Sequence, residues 1–382
     1  MMEPAPPSIP SRGAAGWRGM TRRDGIRIAV WAAGLTLVGA TLAPLVPTDD
    51  WWVRALDFPR PLLALLLVLA MAAWPLLDRR AASWALLAGL VAALGLQLRW
   101  LWPYTPLHPV QALPAGDCAP EDRLSVVVAN LRVSNQGAGP FLDAVRRADP
   151  DAVFAVEVDP GWVHALQPLE AAYPHHVLHP RADFWGFALY TRLDTVQPEV
   201  RHLVSGYVPS LRTGLRLRSG AVVTFHGLHP KPPLPSEGTG QRDAELLLAA
   251  EEVRGGGAAL IGGDLNAVAW SPVTRLLQRV GGMLDPRVGR GVFATFPTWL
   301  PGPLRFPIDH VFFTPEFRLL AVERLPDIGS DHLPLLARLC HRPEAVAAAR
   351  ERVPQAGEAD FRRAQEAILD GREDTGEAKP PD

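Results

Sequence analysis

The sequence predicts an α/β domain carried behind three transmembrane helices. Three observations predict it. Residues 26–99 hold three long apolar segments with charge only between and flanking them. From residue 121 to 340, apolar runs of strand length rich in Val, Leu and Phe alternate with amphipathic helical patterns. The polar residues capable of chemistry stand at the ends of those runs, where function concentrates. Composition narrows the classes further. A net charge of −2 over 382 residues supplies no global field for nucleic acid or an anionic surface. At 48% apolar residues the chain is no disordered protein, despite 39 prolines. Two cysteines are too few for a multi-thiolate metal site.

Taken in order, residues 1–25 are Pro- and Arg-rich and read as a disordered cytoplasmic tail. The apolar segments at 28–47, 61–77 and 81–98 each approach the ~17–25 residues that cross a bilayer. A cleaved signal peptide explains only the first, and buried helices of a soluble domain are the rival reading for the other two. Arg12, Arg18, Arg22, Arg23 and Arg27 precede the first segment, and Arg79 and Arg80 separate the second from the third. The other short loop offsets Arg54 and Arg60 with Asp49, Asp50 and Asp57. The positive-inside rule then predicts a multi-pass membrane protein with its N-terminus in the cytoplasm and everything after residue 100 outside. Trp51, Trp52, Trp100, Trp102 and Tyr104 fall at the outer interface, where amphipathic aromatics collect. No charge lies inside the segments, so 26–99 reads as an anchor rather than a transport path.

Residues 100–120 form a Pro-rich linker to a domain at 121–340, and 341–382 a polar tail with a short helix near 360–369. Residues 124–129 read as a buried strand ending at Asn130, which is also a common turn residue. Phe141, Leu142, Val145 and Ala148 at helical spacing predict a helix closed by Pro150. The strand in 151–160 carries Glu157 at its end. A carboxylate amid Val and Phe is costly to bury unpaired, which favours a cation partner over a rim glutamate. Residues 186–193 read as a strand, and 211–229 as a hairpin turning at Ser219 and Gly220. His229 ends that hairpin before a Pro-rich loop, while His226 has the opposite parity and reads as structural. A helix over 241–254 leads to an apolar strand, then Gly262, Gly263, Asp264 and Asn266. A carboxylate and a carboxamide two apart emerge together from extended chain, although the same residues suit a turn. Residues 305–315 read as a strand with Asp309 in its middle and His310 pointing away. Asp331 and His332 open the last strand, where a cap is the alternative.

Together these pieces resemble the endonuclease/exonuclease/phosphatase superfamily, the fold shared by pancreatic-type DNases, apurinic endonucleases, inositol polyphosphate phosphatases and neutral sphingomyelinases. The resemblance rests on VVVAN, VFAVEV, GLHP, GGDLNA, IDHVF and SDHLP, in that order, with Val156 standing where the family often has Gln. It implies a four-layer α/β/β/α sandwich of the DNase I type. It also implies that Glu157 binds Mg2+ or Mn2+, with Asn130 acting directly or through water and Asp331 in support. His332, oriented by Asp309, would contact the phosphoryl group or activate water, and Asp264 would orient or deprotonate the attacking water. Asn266 and His229 would hydrogen-bond the phosphoryl oxygens, and Thr298 or Thr295 is a looser candidate for the same role. Hydrolysis would be by water, without a covalent intermediate.

Fold and site leave the substrate open. Residues 121–340 hold 21 Lys+Arg against 23 Asp+Glu, so no basic stripe favours a nuclease. An anchored domain outside the membrane also resembles bacterial members linked to glycopeptide-antibiotic resistance, which implies a polyprenyl or other lipid phosphate as substrate and the bilayer as partner. An extracytoplasmic nuclease and a catalytically silent tethered binding protein are the alternatives. Cys118 precedes the first domain strand and Cys340 follows the last. If those strands are antiparallel neighbours the sulfurs could meet in a disulfide, which an oxidising compartment permits; otherwise they are two free thiols.

Overall fold

A computed structural model describes residues 21–374 except 78, 136, 236 and 237. Residues 1–20 of the tail expected over 1–25, and the last residues, 375–382, lie outside the described residues; residues 22–25 are not a disordered tail but the first turn of a helix, capped by Thr21.

The N-terminal helices are α1 (Arg22–Leu42), α2 (Trp51–Arg54), α3 (Arg60–Ala73) and α4 (Ala81–Leu101). Two continuous stretches, Arg22–Leu45 and Ala81–Tyr104, are long and apolar enough to cross a membrane. The middle segment differs from the expectation of a third straight span. Its helical stretch Arg60–Leu76 joins Trp51–Asp57 at a 75° bend, because Pro59 and Pro61 cannot continue the ladder of the turn before them. Leu67, Leu86 and Leu90 are buried where α1, α3 and α4 pack. Gly34 on α1 lets Leu86 lie close; a Cβ there would sit 3.1 Å from the leucine. Polar groups also join the helices. Gln97 donates to Thr41 at 3.0 Å and accepts from Arg60 at 3.2 Å, and Arg60 meets Asp57 at 2.5 Å.

The domain alternates strands and helices in the order β1 (Arg123–Asn130), α5 (Ala138–Ala148), β2 (Ala152–Val156), α6 (Pro160–Leu166), β3 (His175–His179), β4 (Phe187–Thr191), β5 (Asp194–Arg201), β6 (Ser210–Arg216), β7 (Val222–Gly227), α7 (Gly240–Arg254), β8 (Ala259–Asp264), α8 (Pro272–Gly281), β9 (Asp309–Phe313), β10 (Phe317–Arg324) and β11 (Leu335–His341). Two short elements follow, α9 (Val346–Arg350) and α10 (Glu358–Glu373). One sheet runs β10-β11-β1-β2-β4-β3 and the other β5-β6-β7-β8-β9. Only β1–β2 and β7–β8 are parallel pairs.

Alternation of side chains explains the layers. Val126, Val128 and Phe154 from the first sheet meet Phe225, Leu260, Val311 and Phe313 from the second. Gly227 is needed for this approach, since a Cβ would fall 2.5 Å from the Phe154 ring. On the outer faces, Phe141, Val145 and Trp162 of α5 and α6 cover the first sheet. Leu246, Leu247 and Leu277 of α7 and α8 cover the second, and α10 adds Ala364 and Ile368 to that cluster. The segment after Cys340 is thus helical and packed over Glu358–Glu373, longer than the short helix read from composition. Cys118 and Cys340 form a disulfide across 222 residues. Their approach follows from the antiparallel pairing of β1 with β11, which sets Arg123 opposite Cys340.

Candidate active site

The central strands carry polar residues to one edge of the facing sheets. Asn130 is the last residue of β1 and Asp264 the last of β8, while Asp309 is the first of β9 and pairs with Asp264 in register. Asp309 therefore begins its strand instead of lying in its middle. Asp331 and His332 lie in the loop before β11 rather than in the strand. Glu157 follows β2 with φ +59°, a left-handed turn that lifts its carboxylate out of the sheet. Asn266 turns likewise at φ +49°. Gly263 makes a close backbone approach. At φ +141° a Cβ would meet the Leu228 carbonyl oxygen at 2.0 Å, so only glycine lets β8 run beside the segment that presents His229.

Asp264 is the hub. Its Oδ2 accepts from Asn130 Nδ2 at 3.1 Å and lies 3.6 Å from His332 Nε2 and 3.8 Å from His229 Nε2. Its Oδ1 accepts from the Asn266 backbone N–H at 3.0 Å. His332 Nδ1 bonds Asp309 Oδ2 at 2.8 Å, and Phe296 covers the imidazole with ring centres 4.7 Å apart. Asp264, Asp309 and His332 are all buried, with ligand atoms within 4.8 Å of one another. Burial alone would push the His332 pKa down, but the charges of Asp309 and Asp264 and the Asp309 hydrogen bond hold it up, at about 9. Burial pushes the Asp264 carboxyl up; His332 pulls against this and Asp309 adds to it. The three groups form a buried acid–imidazolium–acid chain, suited to holding and moving a proton.

Glu157 stands apart from that chain and is half-buried. Its Oε1 accepts from Asn130 Nδ2 at 2.9 Å and its Oε2 from the Val133 backbone N–H at 3.0 Å. The Asn130 oxygen is engaged by the Arg132 N–H at 2.9 Å. In this structure Asn130 therefore presents its amide hydrogens, not its oxygen, to the two carboxylates. Asp331 lies 3.7 Å from Arg132 Nε. Asn266 donates one amide hydrogen to the Pro230 carbonyl at 2.9 Å, leaving the other to a ligand. His229 rests against Trp185, ring centres 5.4 Å apart, and its buried Nδ1 lacks a partner among the described residues. Thr298 is committed to the backbone, its hydroxyl on the Ser330 carbonyl at 2.9 Å, and Thr295 is fully buried. His226 and His310 take the structural places expected of them. His226 lies 3.7 Å from Glu252, and His310 bonds Arg287 at 2.5 Å and the Ala267 carbonyl at 2.8 Å.

Sequence reasoning missed two supports. Ser330 donates to the Asn130 carbonyl at 2.8 Å and accepts the His332 N–H at 3.1 Å, locking the loop to β1. The buried pair Asp285 and Arg287 fixes the other side, with Arg287 donating to the Asp309 carbonyl at 3.3 Å. A charged Asp-Pro-Arg step beside apolar sequence was the only signal for the second.

Two facing sheets with an acid–imidazole edge define a hydrolase-type site on an α/β sandwich. Residues 127–332 match the Endonuclease/Exonuclease/phosphatase family, and the chain belongs to it. It is accordingly a phosphoric ester hydrolase. Solved structures of similar fold include a zebrafish (D. rerio) TDP2 humanized by 14 mutations, at 17% identity and TM-score 0.47, covering 57% of this chain and 99% of that one. An endonuclease/exonuclease/phosphatase from Beutenbergia cavernae shows 17% identity and TM-score 0.46 over 58% and 72% of the two chains. The human Nocturnin catalytic domain shows 16% and 0.44 over 59% and 97%. Among curated proteins none matches the chain.

Proposed function

We propose that this chain is a membrane-anchored, divalent-metal-dependent phosphoesterase of bacterial type that hydrolyses a lipid phosphate, such as a polyprenyl phosphate, by direct attack of water. The observation that carries the reading is the attachment of the apolar helices to the catalytic edge. Trp270, six residues after Asp264, donates its indole N–H to the Asp57 carbonyl at 2.7 Å. Tyr104 donates to the Ala269 carbonyl at 2.6 Å, and Phe58 packs edge-on against Phe306, three residues before Asp309. An active edge fixed to the ends of membrane helices faces lipid head groups at high effective concentration. The arginine distribution and the Cys118–Cys340 disulfide support an N-terminus in the cytoplasm and a domain outside it.

The donor chemistry suits a hard divalent cation at Glu157. Each of its oxygens receives one neutral N–H, neither meets a cationic side chain among the described residues, and the group is half-open. Asp331 would support the ion and Asn130 would act through water. The Asp264–Asp309–His332 group is less suited, because a charged imidazolium has no free lone pair. When bound, Mg2+ or Mn2+ would offset phosphoryl charge. Asp264, its carboxyl raised by burial, takes the proton of the attacking water. Asn266 and His229 donate to the phosphoryl oxygens as charge builds. His332 brings positive charge against the same group, held in place by Asp309.

The test is Mg2+-dependent hydrolysis by the full chain in detergent, on bis-p-nitrophenyl phosphate, polyprenyl diphosphate and plasmid DNA, against Glu157→Ala and His332→Ala. Turnover of the lipid that both substitutions abolish is expected. Cleavage of DNA alone would make the chain a nuclease, and no turnover by a folded protein would make it a tethered binding protein.

A further inference from the structure

Where the C-terminal ends of α1 and α4 meet the domain, a cavity of about 770 Å³ is lined by Arg54, Arg99, Arg242, Arg275, Arg279 and Arg363. Three of these are matched by acids: Arg54 by Asp57 at 3.5 Å, Arg242 by Asp243 at 2.7 Å and Arg279 by Asp360 at 3.1 Å. Arg99 and Arg275 meet no carboxylate within 4 Å among the described residues. Both instead lie over the Trp100 ring, at 5.8 and 4.7 Å from its centre, and Arg60 approaches the same ring at 4.8 Å. Three guanidiniums on one indole gain some cation–π attraction but repel one another. Burial, together with the charges of Arg279, Arg99 and Arg60, lowers the pKa of Arg275.

Among the described residues, the buried polar atoms without a partner here are both donors; the lining carboxylate outside the ion pairs above, Glu366, is exposed. Trp100 Nε1 and Arg54 Nε, both from residues lining the cavity, are buried without an acceptor. The missing partner is therefore an anion with several acceptor oxygens, the geometry that guanidinium forks match best. Glu157, Asp264, Asp309 and His332 do not line the cavity. Its volume falls in the range of ligand pockets. Its position beside Arg99, Trp100 and Trp102, at the end of an apolar helix, corresponds to the depth of lipid head groups.

We propose that this cavity is a second, non-catalytic site that binds a phosphate group, supplied by an anionic phospholipid. Seated there, the phosphate would bridge Arg99 on the membrane helix with Arg275 on α8 and so fix the domain against the bilayer. The inference goes beyond the proposed catalytic reading and does not depend on which ester is hydrolysed.

The test is native mass spectrometry of the full chain in detergent, offered phosphatidylglycerol, the diacylglycerol with the same chains, or inorganic phosphate, with thermal stability measured in parallel. Retention of phosphatidylglycerol but not diacylglycerol is expected. It should weaken at least tenfold in the Arg99→Gln, Arg275→Gln double variant and be unaltered by His332→Ala. Stabilisation by inorganic phosphate alone, lost in the double variant, would keep the phosphate site and make its source soluble. Equal retention of diacylglycerol, or binding that ignores the double variant, would overturn the proposal. If the double variant does not fold, Arg99→Gln alone, at an exposed position, carries the same comparison.

Discussion

His332 is held between two carboxylates at unequal distances, 2.8 Å to Asp309 and 3.6 Å to Asp264. The shorter contact fixes the ring, and Asp309→Asn replaces its acceptor charge with a neutral amide. We expect kcat to fall by about 10²–10⁴-fold with a smaller change in KM, as when a general acid–base group loses its orientation; steady-state kinetics on bis-p-nitrophenyl phosphate would check it. A second residue-scale consequence lies far from the chemistry. Glu245 on α7 is fully buried and burial alone pushes its carboxyl up to about 8, from an ordinary 4.5. A carboxyl raised on folding favours the fold below its unfolded value, and that stability is lost as pH rises from 4.5 through 8. The loss is on the order of 5 kcal/mol at about 1.4 kcal/mol per unit. Glu245→Gln should therefore raise the melting temperature at pH 8 and leave it nearly unchanged at pH 4, measured by thermal unfolding. The chemical side chains were legible one at a time because each ends or begins an apolar run. The orientation of Asn130 was not, since only the Arg132 backbone fixes which end of its amide faces Glu157.

Among the elements, strands inside both sheets left the plainest record in sequence. β1, β2, β4 and β8 are buried along almost their whole length, so each reads as a continuous apolar run. β3 and β5 escaped because they are edge strands; β5 is largely exposed and contains Pro198, as edges tolerate. β10, the remaining edge of the first sheet, carries four charged or exposed positions among its eight. The bend before α3 was written in Pro59 and Pro61, yet apolar composition outweighed it. The disulfide depended on pairing that local pattern does not encode, and it closes a loop of 222 residues. Cys118→Ser with Cys340→Ser should cost about 2–5 kcal/mol, visible as a lower unfolding midpoint that reductant no longer shifts.

At the scale of the molecule, the helices and the domain meet through buried contacts, not through a free linker. Trp270→Phe with Tyr104→Phe removes the bonds to Asp57 and Ala269 and keeps an aromatic ring at each position, the smaller phenyl leaving a cavity at Trp270. We expect a several-fold rise in KM for polyprenyl diphosphate in membranes and no comparable change for bis-p-nitrophenyl phosphate; parallel kinetics on the two would check it. A similar ratio for both substrates would mean that the contacts shape the site itself. The covalent link between Cys118 and Cys340 has one more consequence. It turns the domain into a closed ring hung from the end of α4. A protease nick inside the ring, for example at 231–235, opens it without releasing a fragment, and both pieces stay attached to the helices until a reductant is added. A nick at 351–357 falls outside the ring, and α10 is then retained only by its non-covalent packing on α7 and α8, with the Arg279–Asp360 ion pair at 3.1 Å.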